Sequence, residues 1–206
     1  MLKLTVISPD TFDPREKAVI DALFAAGLER YHVRKPTATS EALEAWLRLI
    51  PEKWRPRLIL HTHHELVAQF GLAGSHYRGT SQLRPPVPSS GIPCASRTCR
   101  DLPTLRAALG HYDSVFVSPV FPSISKHNFG PTGALPEARL RGLLSARTTA
   151  QRRTTVFALG GITAANASRC GALGFDGVAV RGAIWRSDDP VRAFKQLQNA
   201  LPFRGT

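Results

Sequence analysis

A chain of 206 residues with 43% apolar side chains is long enough for one domain with a real core, and it holds no apolar run near the roughly 18 residues of a membrane span. Its net charge of +12 is scattered without a basic run or stripe, and no zinc-finger or aromatic RNA-binding motif accompanies it. Phosphorylated metabolites therefore fit that charge better than nucleic acid or a membrane surface.

Taken in chain order, short runs rich in Val, Ile and Leu fall at residues 2–8, 30–34, 57–61, 74–77, 92–97, 114–119, 155–161 and 177–182. The first reads as a strand rather than a signal peptide, which sets the expectation of a cytoplasmic protein. Segments with helical spacing of apolar residues fall at 15–26, 40–49, 65–70, 102–109, 136–146, 164–170 and 191–197. Ser40 is placed to cap its helix, Gly71 and Gly110 sit just past helix ends, and Asp113 precedes a strand. Between Tyr77 and Ile92 the sequence is too rich in Pro and Gly for a helix, so the fourth crossover is expected to be an irregular loop. Strands alternating with helices imply a parallel sheet, and eight such units fit a closed barrel. The expected architecture is a single (β/α)8 TIM barrel over residues 1–206, with no linker dividing it. Cys94, Cys99 and Cys170 are odd in number and lack metal-type spacing, so they read as free thiols.

In such barrels the working residues lie at the carboxyl ends of the strands. That rule selects His32, Arg34 and Lys35 after the second strand, His61 with His63 and His64 after the third, and His76 near the fourth. After the fifth come Thr98 and Arg100, and after the sixth the segment Ser118-Pro-Val-Phe-Pro-Ser-Ile-Ser-Lys126. In that segment Ser123 and Ser125 offer two hydroxyls and Lys126 an ammonium to one anion, and Pro119 and Pro122 stiffen the chain. Gly160 and Gly161 after the seventh strand and Gly182 after the eighth stand where backbone N–H groups hold phosphate in many barrels. The competing use of these glycines is a tight strand-to-helix turn. The run His61-Thr-His-His64 raises the question of a metal, with His76 as the ligand from a second element, but polar pocket lining is the simpler reading and no metal site is assigned.

At these residues the chain resembles thiamine phosphate synthase and its relative the thiazole tautomerase, the TenI branch, over nearly its whole length. The family's sixth-strand segment reads Gly-Pro-Val-Phe-Pro-Thr-x-Thr-Lys, matched here with Ser for both Thr, and Ala158-Leu-Gly-Gly-Ile162 and Gly177-Val-Ala-Val180 are also similar to family motifs. The resemblance implies a pyrimidine diphosphate and a thiazole phosphate as substrates, a magnesium ion, and a reaction that joins the two and expels pyrophosphate. It assigns Arg34, Ser123, Ser125 and Lys126 to the diphosphate, and Gly160, Gly161 and Gly182 to the thiazole phosphate. Arg34, Lys35, Thr98 and Lys126 become the candidate catalytic group, with His32, His61, His76 and Arg100 lining the pocket. Relatives in this family suggest a dimer or trimer, so a homo-oligomer is implied as well.

The departures are specific. Arg34 keeps the family's second-strand arginine, but Lys35 stands one residue early. The magnesium carboxylates are replaced, by Thr62 after the third strand and near Ser81 after the fourth. The tautomerase histidine of the fifth strand is Arg100, which stays protonated and cannot shuttle a proton near neutral pH. Three readings follow: a synthase-type transferase, a thiazole tautomerase using His61 or His76, or a non-catalytic binder of thiazole or thiamine phosphate.

Overall fold

The structure is a computed structural model that describes residues 2–78, 94–122 and 135–201. Eight short strands close into a barrel: β1 (Lys3–Ile7), β2 (Tyr31–Val33), β3 (Leu58–Leu60), β4 (Gly74–Tyr77), β5 (Ala95–Cys99), β6 (Ser114–Val117), β7 (Thr155–Leu159) and β8 (Gly177–Val180). Each pairs in parallel with its sequence neighbour, and β8 closes on β1 with Lys3 opposite Gly177 and Val6 opposite Val180. The helices are α1 (Glu16–Ala25), α2 (Ser40–Arg48), α3 (Leu66–Gln69), α4 (Leu102–Ala108), α5 (Glu137–Ser145), α6 (Ala167–Ala172), α7 (Gly182–Trp185) and α8 (Pro190–Ala200).

The period of two along each strand divides the apolar residues into two layers. Val6, Tyr31, Val33, Leu58, Leu60, Val115, Val117, Val156, Ala158, Val178 and Val180 point outward into the main core shared with the helices. The alternate set points inward. Ile7, Phe116, Phe157 and Ala179 form a small apolar layer inside the barrel, with Leu159 packed against it. Burying each large side chain contributes about 1.5–3 kcal/mol, so the outer layer supplies most of the stability, while the inner set also holds the buried polar side chains His32 and His76.

Helix ends follow local signals with some corrections. Thr39, not Ser40, caps α2, because its side chain accepts from the Ala42 N–H while Ser40 is already helical. Asp101 and Asp189 cap α4 and α8 in the same way, accepting from Thr104 N and Arg192 N. Gly71 and Gly110 have positive φ just beyond their helices. Strand β5 runs to Cys99, two residues past the expected end, because Thr98 and Cys99 continue the ladder opposite Phe116 and Val117. The one-turn helix α7 and the 3-10 turns at Glu52–Arg57 and Gln151–Arg153 are too short to show a helical period. The expected irregular fourth crossover lies outside the described residues.

Candidate active site at the barrel mouth

The mouth begins with Ser8, directly beyond β1. Its Oγ accepts from the Arg34 N–H at 2.8 Å and so ties the end of β1 to the end of β2. Two residues on, Asp10 Oδ1 accepts from Nη1 of Arg34 and, at 2.6 Å, from Nη1 of Arg181. One carboxylate therefore holds guanidinium groups from the second and the eighth strand ends side by side. Burial and mutual repulsion show in their acidity. Arg34 is pushed down to about 10, first by burial and then by Arg78 and Arg181. Burial, with Arg100 and Arg181 nearby, lowers Arg78 as well. Cations crowded this closely gain when an anion joins them.

Inside the mouth stand three imidazoles. His32, the inward residue of β2, is 2% exposed, His61, directly beyond β3, is 8% exposed, and His76 of β4 is fully buried. His32 Nδ1 lies 3.1 Å from His61 Nε2. The His61 and His76 rings stack with centroids 4.1 Å apart, and Phe116 packs beneath His32 and His76. Burial holds all three neutral: it lowers His32 to about 3 and pushes His61 and His76 well below the usual histidine value. His76 is fixed by β5, with Nδ1 2.8 Å from Ser96 Oγ and Nε2 2.8 Å from Thr98 Oγ1. A cavity of about 350 Å3 at the amino ends of the strands, lined in part by Lys3, Arg30, Ile59 and Phe157, reaches His32 from the opposite side.

His63 and His64 take no part in this group. His63 adopts φ 53° and its Nε2 donates to the Ala38 carbonyl at 2.8 Å, while the His64 ring meets Tyr77.

Lys35 also turns away from the mouth. Its side chain is 1% exposed, and Nζ donates to Glu16 Oε2 at 2.6 Å and to the carbonyls of Pro9 and Thr11. Strand parity explains this: His32 and Arg34 face inward, so Lys35 falls on the outer side beneath α1, where Phe12 and Trp46 cover its ammonium. Arg100, beyond β5, is exposed at the rim.

Gly160 and Gly161 have φ of 100° and 67° and lie against the segment after β6. A Cβ on Gly161 would stand 2.1 Å from the Pro122 carbonyl oxygen, and one on Gly160 3.0 Å from Pro119. The Phe121 N–H donates to the Gly160 carbonyl across the same contact. These glycines thus shape the close approach of two rim segments. Gly182 opens α7. Ser123, Ser125 and Lys126 lie outside the described residues, as does Ser81.

The donors present do not suit magnesium. Among the described residues, the group whose ligand atoms converge is the imidazole trio, which contains no carboxylate, and Asp10 is engaged by two guanidiniums. Magnesium requires hard oxygen donors, with at least one carboxylate the usual minimum.

Sequence reading missed Asp10 and Ser8. The signal that could have found Asp10 is its position just beyond β1, at the same end as Arg34 and Arg181.

These features define a (β/α)8 barrel with an arginine-lined mouth over a polar interior. Within that class the chain belongs to the family described as thiamine monophosphate synthase, whose model matches residues 4–184. A thiamine-phosphate synthase of Listeria monocytogenes is 37% identical over 94 residues, which cover 44% of this chain and 40% of that protein. The matched stretch is thus less than half the length of that relative. The thiamine phosphate pyrophosphorylase structure from Bacteroides thetaiotaomicron is 30% identical, covers 97% of each chain and superposes with a TM-score of 0.76. That from Pyrococcus furiosus shares the fold with a TM-score of 0.75 at 19% identity, covering 97% of this chain and 95% of its own. No helix among the described residues is long and apolar enough to cross a membrane.

Proposed function

We propose that the whole chain acts as one barrel domain joining a pyrimidine diphosphate to a thiazole phosphate, releasing pyrophosphate and thiamine phosphate. The observation that carries this reading is Asp10 holding Arg34 and Arg181 together over the barrel interior. In the reaction the bond between the pyrimidine methylene carbon and the diphosphate oxygen breaks. The thiazole nitrogen supplies the electron pair for the new carbon–nitrogen bond, and the diphosphate leaves with the pair it gains.

Charge builds on the departing diphosphate, so preorganised donors aimed at it lower the barrier, each worth roughly 100- to 1000-fold in rate. Arg34 and Arg181 are such donors, with Arg78 beside them. The resemblance adds Ser123, Ser125 and Lys126 for the diphosphate and Gly160, Gly161 and Gly182 for the thiazole phosphate. By the same resemblance Thr98, His32, His61, His76 and Arg100 line the pocket where the two rings would meet. Magnesium is used in this family; since the donors in this chain do not suit it, charge neutralisation is assigned to the arginines and to Lys126.

A non-catalytic binder of the same phosphates is the second reading, favoured by the missing magnesium carboxylates. The tautomerase reading is weaker, since His61 and His76 are held neutral by burial and so make poor proton donors.

The test is turnover: purified chain is mixed with both substrates and thiamine phosphate and pyrophosphate are followed. Product that falls at least 100-fold in Arg34→Ala supports the transferase. Saturable thiazole phosphate binding without product rejects it for the binder.

A further inference from the structure

We infer that His32, His61 and His76 form a three-imidazole site for a borderline transition-metal ion such as zinc or cobalt in the barrel interior. One ring nitrogen from each residue lies within 4.8 Å of the others, and all three residues are buried. The inference does not depend on the transferase reading, because a metal can occupy this trio whether or not the mouth catalyses.

Three further observations point to a ligand. First, His61 Nδ1 is buried and has no hydrogen-bond partner, so no contact fixes which nitrogen of that ring carries the proton and Nε2 is open to a ligand. Second, the tautomer of His76 is set from behind. Ser96 Oγ donates its one hydrogen to the Ser75 carbonyl oxygen at 3.3 Å, so it accepts from His76 Nδ1–H at 2.8 Å. The lone pair then sits on Nε2, turned toward Thr98 Oγ1. An imidazole oriented through its other nitrogen is how proteins prepare a metal ligand. Third, the cavity at the amino ends of the strands has His32 in its lining, so the trio is bordered by open space on the side away from the mouth.

Distances agree. Bonds of about 2.0–2.1 Å in a tetrahedral site place ligand nitrogens about 3.3 Å apart. His32 Nδ1 and His61 Nε2 are already 3.1 Å apart and share one proton. Binding moves that proton to the other nitrogen of the same ring, and His76 Nε2 leaves Thr98 to complete the trio. With all ligand atoms within 4.8 Å of one another, reaching tetrahedral spacing needs shifts of at most about 1.5 Å. The fourth position is left for water or an anion. Neutral nitrogen donors select zinc, cobalt, nickel or copper over magnesium.

The experiment uses the full chain without a histidine tag, stripped with chelator and titrated with Co2+ while visible absorbance is followed. We expect tetrahedral cobalt bands that saturate at one ion per chain, are displaced by Zn2+, and accompany a rise in melting temperature. His61→Gln and His76→Gln should abolish the bands, and His63→Gln should leave them unchanged. Ser96→Ala, which keeps all three ligands, should weaken affinity by roughly 10- to 100-fold. Absence of saturable binding by the wild-type chain overturns the inference whatever the variants do. So does affinity unchanged in both His61→Gln and Ser96→Ala.

Discussion

Lys35 Nζ lies 2.6 Å from Glu16 Oε2 with both side chains sealed from solvent, so an ion pair sits in the helix layer directly behind the mouth. Tyr31 completes it, its hydroxyl donating to Glu16 Oε1 at 2.7 Å. Burial is the largest influence on both partners, raising the carboxyl and lowering the ammonium, and each partner's charge opposes that shift. Lys35→Met should cost about 3–5 kcal/mol, because it strands a buried carboxylate, whereas the double change with Glu16→Leu should recover much of that loss. The pH dependence has a definite sign. Without Lys35 the folded carboxyl binds its proton more tightly still, so the defect is small where the carboxyl is protonated in both folded chains and grows as pH rises through the wild-type carboxyl's own raised value, above the ordinary 4.5. Urea melts across that range check both statements; a defect that shrinks with rising pH would reject them.

Gly161 and Gly142 should respond oppositely to alanine. Gly161 has positive φ and lies against Pro122, while Gly142 sits exposed within α5 with nothing near its missing Cβ. Gly161→Ala should destabilise by about 2 kcal/mol or more through backbone strain and displacement of the Pro122 segment. Gly142→Ala should stabilise by about 0.5–1 kcal/mol. Thermal melts of the two variants decide this, and equal shifts would contradict the contact.

Asp10 should act through the arginines it holds. Asp10→Asn keeps the shape but loses the charge, so Arg34 and Arg181 should spread apart and the Michaelis constant for the pyrimidine diphosphate should rise about tenfold. Arg34→Lys should not restore Arg34→Ala, because an ammonium cannot satisfy Asp10 and a phosphate with one planar fork. Steady-state kinetics with each substrate varied check this; full activity in Arg34→Lys would contradict it.

The barrel was legible because its outward positions carry a continuous apolar signal, as in Tyr31, Val33, Leu58 and Leu60 around β2 and β3. The imidazole trio was only half legible. Adjacency in sequence drew His61 toward His63 and His64, yet a reversed backbone at His63 sends those rings elsewhere. Parity held the better signal: His32 stands between two outward residues of its strand, and His61 continues the inward face after Ile59. The same parity places Lys35 outside, where one-dimensional proximity to Arg34 had suggested the pocket. Asp10 gave no motif, since a lone carboxylate acquires its role only when β8 closes beside β1.

Release of pyrophosphate together with thiamine phosphate, from pyrimidine diphosphate and thiazole phosphate, tests the central claim most directly. Equal amounts of the two products, reduced at least 100-fold in a folded Arg34→Ala variant, are the expected result. No product from the folded wild-type chain, or a rate indifferent to Arg34, would contradict it.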